Sequence, residues 1–185
     1  MKKSWGAATL FIVFASSVFA STVMVKDIRT IGPNQPSNPS YITPAGKVAY
    51  FSADDGAHGR ELWKTDGTAA GTRMVLDIFQ GQRSSIPRQF CVVGNLVFFV
   101  ADDSNNKNAL WKTDGTAAGT KLVKKGVTVT DQPFPEFDPV MVNVNGTLFF
   151  SGFDRSHGTE LWKSDGTSAG TALVMDLYGP SSSSS

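Results

Sequence analysis

Three short apolar runs of one design recur along the chain: Val48-Ala49-Tyr50-Phe51-Ser52-Ala53, residues 96–101 and residues 147–152. Each is rich in aromatic and β-branched residues and is bounded by Gly or Asn turns. That pattern suits a strand buried on both faces. A polar loop follows, Asp54-Asp55-Gly56-Ala57-His58-Gly59 in the first case. Then come a second strand over 61–65, a tight Asp66-Gly67 turn and a third strand over 72–78. Asp-Gly between strand-like runs marks a hairpin, because Gly takes positive φ without steric cost. A further short strand is predicted upstream of each run, at 40–43, 89–92 and 140–142. About four antiparallel strands per period result. Outside the first twenty residues no segment sustains the 3.6-residue apolar spacing of a helix, which disfavours a helical solenoid.

The period is explicit. Leu-Trp-Lys-Thr-Asp-Gly-Thr-Ala-Ala-Gly-Thr occupies 62–72 and again 110–120, and LWKSDGTSAGT runs over 161–171. Trp63, Trp111 and Trp162 lie 48 and 51 residues apart, a spacing typical of stacked repeats or propeller blades. Residues 46–78, 94–126 and 145–177 align without gaps as 33-residue units. The expected fold is all-β, in antiparallel four-stranded repeat units that form three blades of an incomplete β-propeller.

Glu61-Leu62-Trp63-Lys64-Thr65-Asp66-Gly67-Thr68 and Glu160-Leu161-Trp162-Lys163-Ser164-Asp165-Gly166-Thr167 resemble the ELWxxDGT repeat, also called hyalin-like. The resemblance spans nearly all of the chain after the first twenty residues. It implies a secreted or surface-associated bacterial protein of β-propeller type, without a common activity. The middle copy departs from it: Ala109 stands where the others have Glu, and its polar loop reads Ser104-Asn105-Asn106-Lys107-Asn108.

The remaining segments suggest an address and an organisation. Lys2 and Lys3, the apolar stretch 7–20 and Val18-Phe19-Ala20 read as a secretory signal peptide over 1–20. After its cleavage no stable membrane span is expected, since the apolar run is too short for one. The expected order is an orphan blade strand and linker at 21–36, then blades at 37–86, 87–136 (with a connector) and 137–178. A Ser-rich tail occupies 179–185. Thr22-Val23-Met24-Val25-Lys26-Asp27-Ile28 matches residues 72–78 at five of seven positions, like a last blade strand without its blade. These ends favour a fragment of a larger propeller. The alternative is a homodimer pairing two arcs into a six-bladed ring.

Losing Lys2 and Lys3 leaves 15 basic and 16 acidic residues, which gives no electrostatic case for nucleic acid. Cys91 is the single cysteine, so no internal disulfide is available and the apolar core must hold the fold.

A motif present in every repeat is expected to build the fold. Trp63, Trp111 and Trp162 are therefore assigned to the core. Asp66-Gly67, Asp114-Gly115 and Asp165-Gly166 are assigned to structural turns in which the carboxylate accepts nearby backbone N–H groups. His58 and His157 each follow an aspartate by three residues (Asp55, Asp154), a pairing able to bind metal or move a proton, or simply to set a polar turn. No cofactor is expected except calcium, for which Asp54, Asp55, Asp102 and Asp103 are the weak oxygen-ligand candidates. The non-repeating loop 128–139 is the favoured ligand contact, through Asp131, Phe134, Glu136, Phe137 and Asp138.

The reading is an exported, non-enzymatic module that binds an extracellular glycan or protein, for adhesion or surface attachment. The alternative is a secreted glycan-active hydrolase or lyase. That would need two converging carboxylates, such as Asp131 or Glu136 with Asp154.

Overall fold

A computed structural model describes residues 22–29, 31, 35–130 and 140–177. Among the described residues every element is a β-strand, and all pairings are antiparallel. Unit 1 is a four-stranded meander of β1 (Ser40–Ala45), β2 (Val48–Asp54), β3 (Arg60–Thr65) and β4 (Arg73–Leu76), in that order. Unit 2 repeats the path with β5 (Arg88–Val93), β6 (Leu96–Ala101), β7 (Ala109–Thr113) and β8 (Lys121–Leu122). Unit 3 does so with β10 (Met141–Val144), β11 (Thr147–Asp154), β12 (Gly158–Ser164) and β13 (Ala172–Met175). Between them the two-residue strand β9 (Thr128–Val129) pairs with both β7 and β11, splicing units 2 and 3 into one sheet.

Alternation along the strands gives each unit two working faces. Tyr50 and Leu62 on the back of unit 1 join Val75 and Ile78 in a core with Val97, Phe99 and Trp111 on the front of unit 2. The second junction repeats this with Phe98, Val100, Leu110 and Val123 against Leu148, Phe150 and Trp162. Burial on both faces is therefore the consequence of one unit lying on the next. The stretch 22–29 forms no strand, contrary to the orphan strand expected there. It nevertheless occupies the place such a strand would fill. Ile28 packs on Phe51 and Trp63 as Ile78 packs on Phe99 and Trp111. Lys26 Nζ donates to Thr72 O at 2.8 Å, much as Lys124 Nζ of unit 2 donates to Ser168 O of unit 3 at 3.1 Å.

The last strand of unit 2, β8, which alignment with the strand at 72–78 extends over 120–126, is cut to two residues. Val123 N–H still bonds Leu110 O, but Gly126 turns at φ +79° and sends the chain into β9.

Candidate functional site

The repeated motif is used for construction, residue by residue. Asp66 Oδ1 accepts from the N–H and the hydroxyl of Thr68, at 2.9 and 2.7 Å. Thr68 Oγ1 in turn accepts from Gly71 N–H, and Thr72 Oγ1 donates to Thr68 O. Asp114 and Asp165 repeat these bonds with Thr116 and Thr167. The hydrogen bonds from the threonines hold all three carboxyls below the usual carboxylate range. The closing glycine of each motif is required by the carboxylate itself, since a Cβ on Gly71, Gly119 or Gly170 would overlap it. Trp63, Trp111 and Trp162 are 6, 8 and 4% exposed, and their indole N–H groups have no hydrogen-bond partner. Their rings pack against strands and leave no open face for stacking on a sugar.

The polar loops after β2, β6 and β11 also share one turn. Asp55 Oδ1 accepts from the N–H groups of Ala57 and His58, Asp103 from those of Asn105 and Asn106, and Asp154 from those of Ser156 and His157. His58 Nδ1 lies 2.7 Å from Asp55 Oδ2, and His157 Nδ1 2.9 Å from Asp154 Oδ2. The hydrogen bond to its aspartate raises the pKa of each imidazole. Burial works to raise the pKa of Asp55 and Asp154, but the bonds from the histidines and the turn outweigh it and lower both. Asp54 is bound by Arg29 at 3.0 Å and by Gly56 N–H, and Asp102 by Lys107 at 2.9 Å and Asn108 N–H. Asp55, Asp102 and Asp103 thus bond within their own loops, and Asp54 also pairs with Arg29 of the stretch 22–29. Among the described residues no three His, Cys, Asp or Glu side chains gather as a metal cluster. Asp131, Phe134, Glu136, Phe137 and Asp138 lie outside the described residues, as does the segment 1–20.

Two residues that sequence reasoning passed over have special surroundings. Glu61 is fully buried, and its carboxyl receives the N–H of Ile78 and of Ser85, both at 2.9 Å, and the Ser85 hydroxyl at 2.5 Å. It pins the linker that carries the chain from unit 1 to unit 2. Burial pushes its pKa up to about 7 against these hydrogen bonds. The available signal was a charged residue beginning a strand that reads as buried.

The other is Tyr50, at a position where units 2 and 3 have Phe98 and Phe149. It stands in a cleft of about 230 Å³ between the hairpin tips of units 1 and 2. Ala45, Val48, Val92 and Val97 supply apolar walls, Gly46 and Gly94 the tight tips, and Tyr50, Asn95 and Asp114 the polar groups. Burial, and secondarily the negative Asp114, raise the pKa of the Tyr50 phenol, which is 4% exposed. At the second junction the corresponding place is bridged, because Asn143 Nδ2 donates to Val92 O at 2.9 Å. At the first, Val92 itself occupies the position of Asn143 and has no such donor. The cleft is therefore a departure from the repeat, with a hydroxyl and a carboxylate beside an apolar wall.

Searches against protein families, characterised proteins and solved structures find no match for this chain. Among the described residues no helix is long and apolar enough to cross a membrane.

Proposed function

We propose that the protein is an exported binding module, its units the blades of a β-propeller arc resembling the ELWxxDGT repeat proteins, and that it binds extracellular glycan without cleaving it. The observation that carries this reading is the Tyr50–Asp114 cleft. A carboxylate held ionised accepts hydrogen bonds from hydroxyl groups, a phenol gives or takes one, and the valine wall suits the C–H face of a pyranose. A volume of about 230 Å³ admits one sugar unit. The repeated motif is compatible with this view: Asp66, Asp114 and Asp165 each spend Oδ1 on a turn, so that Oδ2 of Asp114 is left for the cleft it lines, and the indoles lie in the core.

The test is a glycan array read beside a hydrolysis assay on the same preparation, with Tyr50→Phe as the comparison. Phe98 fills the equivalent position of unit 2, so the variant should fold. Loss of one hydrogen bond, about 0.5–1.5 kcal/mol, should weaken retention of the bound glycan by roughly 2- to 13-fold. Glycan turnover would contradict the reading, and so would binding that Tyr50→Phe leaves unchanged.

A further inference from the structure

The two ends of the described stack are complementary: the back of unit 3 is exposed, and the front of unit 1 is covered by the stretch 22–29, with Phe51 and Trp63 5 and 6% exposed. On the back of units 1 and 2, Leu62 and Leu110 are 0 and 1% exposed, and Val75 and Val123 8 and 4%, because the following unit covers them. On unit 3 the equivalent Leu161 and Val174 are 47 and 43% exposed, and Leu177, at the position of Ile78, is 72% exposed. At the other end, the turn glycines of units 2 and 3 meet the unit before them. A Cβ on Gly115 would lie 2.5 Å from the Tyr50 hydroxyl, and one on Gly166 3.2 Å from Leu96 and Phe98. Gly67 of unit 1 has no heavy atom within 4 Å of that position. One end lacks what the other provides.

From this we propose that the back of unit 3 is a docking surface for a second copy of this chain, which lays the front of its unit 1 there. Leu161 and Val174 then take the positions of Leu62 and Val75 against the partner's Phe51 and Trp63. Lys163 reaches the partner's Gly67 carbonyl as Lys64 reaches Gly115 O at 2.7 Å. The stretch 22–29, now seated on that front face, gives way to the end of β13. It is suited to this because it forms no strand and is held by Ile28, the Lys26 bond and the Arg29–Asp54 pair. Its Thr22, Val25 and Asp27 match Thr171, Val174 and Asp176, so one sequence replaces a similar one. Two such contacts between two copies of the described units would close a ring of six, within the range of about 4–8 blades for closed propellers. The ring rests on the propeller reading; the contact does not.

The experiment is light-scattering mass across a dilution series of the purified protein, with Leu161→Asp and Leu177→Asp. Leu177 is largely exposed, so that variant keeps the fold, and circular dichroism checks both. A wild-type dimer that each variant converts to monomer is the expected result. A ladder of larger oligomers collapsed by the same variants would keep the contact and remove the ring. A monomeric wild type, or a dimer indifferent to both substitutions, overturns the proposal.

Discussion

A carboxylate in a dry site is the residue-scale feature with the largest physical consequence. Glu61 ionises near 4.5 when exposed and near 7 in the fold. A raised carboxyl pKa means that the folded state holds the proton more tightly than the unfolded chain does. The stabilisation is complete below about pH 4.5 and is lost as the pH rises to about 7, by on the order of 3 kcal/mol. The paired His58 and His157 act in the same direction, since their raised pKa values give stability that disappears as each loses its proton. Thermal stability should therefore fall between pH 5 and pH 7.5, and Glu61→Gln should flatten most of that slope. An equally steep slope in the variant would show that the buried carboxyl is not its source. Little of this was legible in the chain. The glutamate itself is conspicuous, but the Ile78, Phe79 and Ser85 N–H groups that surround it lie 17 to 24 residues away.

Elements were easier to read than their joints. The strand β2 and its partners announce themselves through aromatic and β-branched content, and the Asp-Gly turn through its residues. The bulges in β1 and β5 do not. Tyr41 and Gln89 sit there at φ +56° and +55°, a conformation that bulky residues rarely take, with ladder registers shifted around them. Nor could β9 be foreseen, because it pairs with strands on both sides of the non-repeating loop.

The packing of one unit's turn on the unit before it yields a sharp prediction. Gly67 and Gly115 both have φ +88°, so Ala at either should cost about 1–2 kcal/mol of backbone strain. Only Gly115→Ala also meets the Tyr50 hydroxyl. It should destabilise more than Gly67→Ala in chemical denaturation, and Tyr50→Phe should recover part of the difference. Equal costs at the two glycines would mean that units 1 and 2 are not apposed there.

For the molecule as a whole, the central claim is that the recurrent tryptophan-to-threonine stretch is scaffold and that its units are stabilised by lying on one another. Trp111 belongs to the middle unit, 8% exposed, in the core shared with Tyr50, Leu62 and Ile78 of unit 1. Its burial was legible from its once-per-unit recurrence; the cleft at Tyr50 was not, because that depends on Val92 failing to do what Asn143 does. The most direct measurement is the melting temperature of Trp111→Ala. Removing a buried indole should cost about 3–5 kcal/mol, lowering the Tm by roughly 6–20 °C for a chain of this size. An unchanged Tm accompanied by lost glycan binding would place the indole in a ligand site and contradict the account.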